Sequence, residues 1–282
     1  MILIDNIISK ISTLPTLPTV YSKLTEAIED PNNTVEQISK IISADQASVF
    51  KILKIVNSPF YGFRGKIDTI SQAIFYLGFN EVRNIVLALS VINMFSKESS
   101  LKDYSPIDLW SHSIGVGILA RAIGAAVKEK NLENYFVAGI FHDIGKLIFM
   151  EYAAKDYQRV FDLVKTKRVT ISESETEIFG VDHAAAGSLL AEKWKLPPSI
   201  QKTVRYHHDF NGSEINNLLL CSIYIADIYA NAIGLGFDGS PIISQPSNVV
   251  WNTVKLKPGY IKSISKKLRE DYNHTIKIIL VD

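Results

Sequence analysis

Five of the six histidines in this chain lie between residues 112 and 208, several of them close to acidic residues in apolar surroundings. His142 and Asp143 interrupt the apolar run AGIFHDIGKLIF, and Lys146 follows His142 by four residues. Residues four apart share one face of a helix, so the run predicts a helix with imidazole and ammonium groups side by side. Burying such groups is unfavourable unless they are paired, and a metal ion with a phosphate-like ligand would pair with them.

Further imidazoles and carboxylates occur on other segments with helical spacing. They are His112, His183, His207, His208 and Asp227. Helical bundles build metal sites from side chains that project inward from facing helices. Imidazole and carboxylate without thiolate favour iron or manganese, with zinc possible, over calcium. The set predicts one or two divalent ions, and a pair could be bridged by one carboxylate and could bind phosphoryl oxygens. Asp143 and Lys146 are the catalytic candidates, with Lys146 facing a substrate phosphate.

Each of these residues also has an ordinary structural interpretation. Asp227 could be a core carboxylate paired with Tyr224, and His183 could simply follow a helix cap at Asp182. The other histidines could be hydrogen-bonded within the core or exposed at helix ends. A shared site explains all of them together, and we therefore favour it.

The adjacent histidines 207 and 208 pose a geometric problem for a shared site. Neighbouring side chains on a helix point about 100° apart, so a regular helix cannot aim both at one cluster. They can both reach it if the helix ends there, which Asp209, Asn211 and Gly212 favour.

Apolar residues recur at helical spacing through most of the chain, including residues 1–13, so we expect an all-α fold. A polar stretch ending in proline, residues 96–106, predicts a linker between an N-terminal helical bundle (1–100) and a second helical domain (106–282). Thr34 and Gln37 resemble a capping box. Helices are predicted at 46–56, 80–94, 106–128, 132–150, 152–167 and 214–232, and a loop at 234–247. A last helix is predicted within 259–282, and its end, IKIILVD, is ambiguous between helix and strand.

The composition is typical of a globular protein and excludes few classes of function. The 282 residues are 47% hydrophobic and 21% charged with a net charge of +1, so charge suggests neither nucleic acid nor membrane binding. The lone Cys221 rules out an internal disulfide and is expected in the core. No apolar run reaches the ~18 residues of a membrane span, so we expect a cytoplasmic protein.

The pattern His … His-Asp … Asp resembles that of the HD superfamily of metal-dependent phosphohydrolases. In the N-terminal half, NSPFYG and AIFYLGFNEVRN resemble the HDOD (HD-related output domain) family, and the likeness covers about residues 12–230. The resemblance implies an all-α fold in which an N-terminal helical bundle packs on an HD-like helical core. It also implies a bacterial signalling output protein, a class in which many members have lost the metal ligands.

The segment FHDIGK is similar to the HD-GYP branch, the cyclic-di-GMP phosphodiesterases. This resemblance implies two metal ligand sets: His112, His142, Asp143 and Asp227 for the first, and Asp143, His183, His207 and His208 for the second. It assigns Lys146 to a substrate phosphate and makes Asp108 a candidate ligand of a third metal. After His208 the chain reads DFNGSE and has no GYP motif, so the resemblance implies metal binding without specifying cyclic-di-GMP as the substrate.

Three functions are compatible with these residues. The first is a regulatory output module with a metal site and a protein partner. The second is a phosphohydrolase acting on a nucleotide or cyclic dinucleotide, for which Arg64, Arg83 and Arg121 are candidate phosphate contacts. The third is DNA binding through residues 42–58, but this stretch carries only Lys51 and Lys54, so a DNA partner is not expected.

Overall fold

The structure, a computed structural model, describes residues 16–95, 101–209 and 216–281. Every regular element within these ranges is a helix, which confirms the predicted all-α fold. These residues group into two compact units. The first unit comprises residues 16–94 and 266–281, and the second unit comprises the described residues between 95 and 265. Residues 1–13, for which the sequence shows helical spacing, lie outside the described residues.

The first unit begins with a run of short helices. They are α1 Thr19–Glu29, α2 Val35–Ser43, α3 Gln46–Val56, α4 Ile70–Leu77 and α5 Phe79–Met94. The predicted capping box at the start of α2 is present. The backbone N–H of Gln37 donates to the Thr34 hydroxyl (3.3 Å), and the backbone N–H of Thr34 donates to the Gln37 side-chain oxygen (2.7 Å). These caps satisfy backbone groups that the first turn leaves unpaired.

The second unit contains nine of the described helices. They are α6 Pro106–Ala126, α7 Leu132–Phe141, α8 Gly145–Tyr152, α9 Ala154–Lys167, α10 Ile171–Phe179, α11 His183–Lys193, α12 Pro198–Tyr206, α13 Leu218–Ala232 and α14 Asn248–Val254. Helix α6 is the core helix and packs against α7 and α13. Small residues allow the close approach, since a Cβ atom on Gly139 of α7 would lie only 2.5 Å from the Cα atom of Gly117.

The prediction of one continuous helix over 132–150 is wrong. Helix α7 ends at Phe141, residues 142–144 form a turn, and α8 begins at Gly145. The His142 ring donates from Nδ1 to the Gly139 carbonyl (2.7 Å), which satisfies an acceptor that the helix end leaves free. Gly145 permits α8 to start in direct contact with α11, because any Cβ atom there would clash with the His183 carbonyl.

The C-terminal residues differ from the predicted domain division. Helix α15, Tyr260–Ile276, is followed by a π-helix at Lys277–Val281, and residues 266–281 group with the first unit rather than with the second domain. The reason is apolar burial: Ile278, Ile279 and Leu280 are buried. Lys51 of α3 also donates to the Ile279 carbonyl (3.1 Å), so the ambiguous end of the sequence is helical.

No single helix in the described part of the chain combines the length and apolarity that crossing a membrane requires. Helices α4 and α5 meet that requirement only when taken together, and they are bent by 119° at their junction.

Candidate metal centre

The side chains of all seven predicted ligands meet within the second unit. They come from α6 (His112), the α7–α8 turn (His142 and Asp143), the start of α11 (His183), the end of α12 (His207 and His208) and α13 (Asp227). Their potential ligand atoms form two groups, in each of which the atoms lie within 4.8 Å of one another. We call these group A (Asp143, His183, His207, His208) and group B (His112, His142, Asp227).

Asp143 lies between the two groups. Its Oδ1 atom is 3.0 Å from His183 Nε2 and 3.4 Å from His207 Nε2. Its Oδ2 atom is 3.3 Å from His142 Nε2, which belongs to group B. One carboxylate therefore reaches both groups, as a bridging ligand must.

Helix α12 ends just before the two adjacent histidines, as the sequence predicts. Tyr206 is its last helical residue, and His207 occupies the C-cap position. The His208 ring then turns to the same neighbour as the His207 ring: its Nε2 atom lies 2.9 Å from His183 Nε2, against 3.2 Å for His207 Nε2. Both imidazoles thus reach group A because the helix stops there.

Three imidazoles are held by hydrogen bonds made on the side away from the cluster. The Nδ1 contacts are His142 to the Gly139 carbonyl (2.7 Å), His207 to the Val204 carbonyl (3.0 Å) and His183 to the Glu175 carboxylate (2.6 Å). A carbonyl or carboxylate can only accept, so each Nδ1 carries the hydrogen. In the neutral ring the Nε2 atom then presents a lone pair to the cluster, which is the tautomer that binds a metal.

Sequence reasoning missed Glu175. It is fully buried, and its Oε2 atom accepts both the His183 backbone N–H (2.7 Å) and the His183 Nδ1–H (2.6 Å). Its other oxygen accepts from the buried Tyr157 hydroxyl (2.9 Å). A signal was present in the sequence, because Glu175 is four residues from both Ile171 and Phe179 and so lies on the apolar face of α10.

Group A is arranged to hold positive charge. Two Nε2 atoms without hydrogens at 3.2 Å, as in His183 and His207, repel one another unless a proton or a metal ion is shared. Burial alone would lower the pKa of His183, but the carboxylates of Glu175 and Asp143 outweigh it and raise the pKa to about 10. Burial, together with the neighbouring imidazoles, lowers the pKa of His207, which keeps that ring neutral.

Two buried polar atoms at the centre lack a hydrogen-bond partner among the described residues. They are His142 Nε2 and Asp143 Oδ1. Buried polar atoms are normally satisfied, so exceptions call for an explanation. Burial would raise the pKa of Asp143, yet His142, Lys146 and His183 hold it well below its usual range, so the carboxylate stays ionised. A divalent ion would satisfy both atoms, and the residues present fit such a group.

Group B is less prepared for an ion than group A. His112 Nε2 lies 2.9 Å from Asp227 Oδ1, while the buried Nδ1 atom of His112 lacks a partner in the described structure. The ring therefore directs its Nε2–H at the carboxylate and would have to lose that proton to bind a metal. Burial would raise the pKa of Asp227, but the hydrogen bond from His112 and the charge of His142 lower it.

Lys146 does not extend into open space as a phosphate contact would. Its side chain is 3% exposed and donates to Asp143 Oδ2 (2.7 Å) and to the Asp238 carbonyl (3.0 Å). Burial alone would lower the pKa of Lys146, but the Asp143 carboxylate raises it, so the ammonium stays charged. Lys146 thus neutralises the central carboxylate and ties it to the segment after α13.

That segment, residues 234–240, lies against the helix that carries His112. Leu235 is fully buried, and Gly236 has a left-handed backbone (φ +86°). A Cβ atom at Gly236 would collide with the backbone of His112, so only glycine permits this approach. As predicted, the stretch from 234 to 247 contains no helix.

A pocket of about 310 Å³ adjoins the centre and lies within the second unit. Asp143, His183, His208 and Asp227 reach it from the metal centre, and Lys146 also lines it. The rest of the wall comes from the start of α10, from α13 and from the 238–244 segment. A small ligand in this pocket would touch the centre directly.

The other candidate residues are engaged elsewhere. Asp108 closes the capping box of α6, accepting from the Ser105 amide (2.9 Å) and hydroxyl (2.6 Å), and it belongs to neither group. Arg121 pairs with Glu133 (3.0 Å). Arg64 and Arg83 belong to the first unit, and Cys221 is a buried core residue, as expected.

The fold and the converging imidazoles and carboxylates define an all-α protein with a candidate metal centre. The chain belongs to the HDOD domain family, whose family model matches residues 14–210. This confirms the family that the sequence resembles.

Curated relatives share the domain within longer chains. An uncharacterized protein of Treponema pallidum (strain Nichols) is 24% identical over 205 residues, which are 72% of this chain and 39% of the relative. The uncharacterized protein YuxH of Bacillus subtilis (strain 168) is 28% identical over 123 residues, 44% of this chain and 29% of the relative. The chain thus spans well under half the length of the curated relatives it matches.

Solved structures share the fold over nearly the whole chain. An HDOD domain protein of unknown function from Geobacter sulfurreducens has a TM-score of 0.80 at 23% identity and covers 99% of both chains. A candidate phosphohydrolase from Shewanella amazonensis SB2B has a TM-score of 0.70 at 22% identity, covering 97% of this chain and 96% of that one. At these identities the likeness establishes the fold alone.

Proposed function

We propose that this HDOD protein binds one or two divalent metal ions at groups A and B and is a metal-dependent phosphohydrolase. The observation that carries the proposal is at group A. Glu175 leaves His183 Nε2 facing the cluster, 3.2 Å from His207 Nε2 and 3.0 Å from Asp143 Oδ1. These atoms need a shared proton or a metal ion between them, and a metal ion would take the place of the proton.

Groups A and B should bind a metal ion with different affinities. Group A would hold the first ion, because it offers four ligands against three in group B, and the Nδ1 contacts of His183 and His207 direct their Nε2 atoms at the site. Group B would hold a second ion more weakly, because His112 must first lose the proton that it donates to Asp227. Asp143 would join both, and the nitrogen and oxygen ligands favour iron or manganese, with zinc possible.

Ions bound in such sites lower the pKa of water and stabilise negative charge on phosphoryl oxygens. The protein's own residues supply the rest. Lys146 holds Asp143 in its ionised form and in one orientation. Glu175 holds the His183 ring. A ligand in the pocket would lie beside Asp143 and His183 and would be partly shielded from bulk water, which strengthens electrostatic interactions there.

Similar folds have been linked to the same chemistry elsewhere. A second Shewanella amazonensis SB2B protein, described as a candidate metal-dependent phosphohydrolase, has a TM-score of 0.67 at 19% identity over 98% of both chains. This protein is a precedent for the fold, and the ligand set of the present chain supports the proposal independently.

A second candidate function is signal output through a protein partner, in the cytoplasm as the sequence predicts. The observation that favours it is in the first unit, which contributes none of the seven candidate ligands. This unit exposes aromatic side chains: Phe75 is 81% and Tyr76 58% exposed, and Tyr76 packs on Phe63. Exposed aromatic clusters are typical of partner surfaces. In this role the metal centre would report its ligand state to a partner.

The test compares metal content and turnover in the wild type and in Asp143→Asn. We expect the wild type to carry iron or manganese and to hydrolyse p-nitrophenyl phosphate or its bis ester, and the variant to lose metal and at least 100-fold in rate. Asp156→Asn, at an exposed ion pair on α9, is the matched control. Equal metal in the wild type and Asp143→Asn would refute the metal centre, and bound metal without turnover would leave the signalling role.

A further inference from the structure

We propose that the pocket takes a ligand with a single phosphoryl group on a ring-bearing, hydroxylated body, the class of nucleoside monophosphates, and rejects nucleoside di- and triphosphates. The inference rests on the proposed function, because the metal centre would hold that one phosphoryl group. It goes further by naming which phosphate-bearing ligands fit and which do not.

The charges that line the pocket carry the argument. Apart from the histidines and aspartates of groups A and B, the charged side chains of the wall are Lys146, Glu173 and Asp238. Lys146 is the one Lys or Arg among the described lining residues, and its ammonium already donates hydrogen bonds to the Asp143 carboxylate and the Asp238 carbonyl. A phosphate held away from the metals would therefore find no cationic side chain.

The two acidic side chains are fixed in place. Glu173 Oε2 accepts from the Thr170 amide (2.8 Å) and hydroxyl (2.9 Å), and Asp238 Oδ1 accepts from the Ser240 amide (2.7 Å). Neither carboxylate has an ion-pair partner in the described parts of the chain. A second phosphoryl group would meet fixed negative charge, which is how a site selects against a ligand.

The start of α10 borders the pocket without offering an anion site. Helix N-termini attract phosphates because their amide groups and dipole are positive. Here Glu173, in the first turn, already places a carboxylate at that end and takes up the Thr170 amide. The usual place for a remote phosphate is thus filled by the protein itself.

The remaining wall suits a neutral, ring-bearing body. Tyr224, Ile228 and Ile242 offer apolar faces, and the polar side chains of Asn231 and Ser244 lie among them. Flat rings pack on such faces, and sugar hydroxyls bind such polar groups. At about 310 Å³ the pocket is near the lower end of ligand sites, which matches a mononucleotide better than a cyclic dinucleotide.

The test is calorimetric titration of manganese-loaded full-length protein with slowly hydrolysed thiophosphate analogues of a nucleoside 5′-monophosphate and of the matching diphosphate. We expect the monophosphate to bind about tenfold or more tightly than the diphosphate. Glu173→Gln keeps the capping box, which tolerates Gln, and removes one charge. This substitution should reduce the ratio of monophosphate to diphosphate affinity by about threefold or more. Asp238→Asn should do the same.

Glu177→Gln is the control, because this residue lies on the same helix, pairs with Lys167 and does not line the pocket. The inference is overturned if wild type binds the diphosphate as tightly as the monophosphate, or if neither substitution moves the ratio. It is also overturned if the metal-loaded protein binds neither nucleotide, while the proposed function survives. Failure to load metal at all would instead remove the proposed function and this inference together.

Discussion

One carboxylate oxygen of Glu175 accepts two hydrogen bonds from His183, one from its backbone N–H (2.7 Å) and one from its ring Nδ1–H (2.6 Å). The same contact fixes the start of α11 and the orientation of the imidazole. Because the pair is fully buried, the tautomer of His183 is set by the fold and the ring cannot turn without breaking both bonds.

Glu175→Gln should therefore weaken metal binding. The amide oxygen can still accept from His183, but the negative charge that makes the ring a better ligand is gone. We expect metal affinity to fall about 10–100-fold, as for other partners of metal-binding histidines. Competition with a chromophoric chelator measures this. Glu177→Gln, the same change on an exposed face of the same helix, should leave affinity unchanged, and equal affinities in all three proteins would contradict the role of Glu175.

Lys146→Met should destabilise the metal-free protein by about 3–5 kcal/mol, because it leaves Asp143 as a buried charge without its ammonium partner. Added metal should restore much of this loss, since a cation again neutralises the carboxylate. Chemical denaturation with and without manganese tests both statements. Lys165→Met breaks an exposed pair with Asp103 and should leave the free energy of unfolding nearly unchanged. A similar small effect at Lys146 would be inconsistent with its role.

Gly145→Ala should disturb the centre without touching a ligand. An added methyl group would clash with the His183 carbonyl and lie 2.6 Å from the Gly187 amide nitrogen, so α8 and α11 must move apart. We expect a loss of about 3 kcal/mol or more in the free energy of unfolding and weaker metal binding. At Gly65 nothing lies within 4 Å of an added Cβ atom, so Gly65→Ala is the control. Normal metal affinity in a folded Gly145→Ala protein would show that this contact does not position the ligands.

Metal binding should compete with a proton on His183. Its pKa in the metal-free fold is about 10, above the ordinary imidazole value of 6.5. The proton therefore stabilises the metal-free fold fully below about pH 6.5, and this contribution is lost as the pH rises through 10. Metal must displace it, so the association constant should rise about tenfold per pH unit between about 7 and 10. An affinity independent of pH over that range would contradict the assignment.

The convergence of these seven side chains could be predicted from the sequence because several of them are polar residues in apolar helices, while their binding of a metal stays a prediction. His112 and Asp227 are conspicuous for this reason, and the HDIGK segment also resembles a known pattern. The end of α12 at Tyr206 follows from the residues after it. These are local signals, which a linear pattern records.

Tertiary contacts account for what the sequence reading missed. The break after Phe141 follows from the approach of Gly145 to α11, which helical spacing in the apolar run does not reveal. Lys146 points to Asp143 and Asp238 because the distant 234–240 segment folds against α6. Residues 266–281 group with the first unit because apolar side chains there are buried, a long-range pairing that composition does not specify.

The central claim is that group A holds a metal ion, and anomalous X-ray diffraction from crystals of the manganese-loaded protein tests it most directly. The account predicts an anomalous peak in contact with Asp143 Oδ1 and with the Nε2 atoms of His183 and His207. A fully loaded crystal with no peak among these atoms, and direct hydrogen bonds in its place, would contradict it.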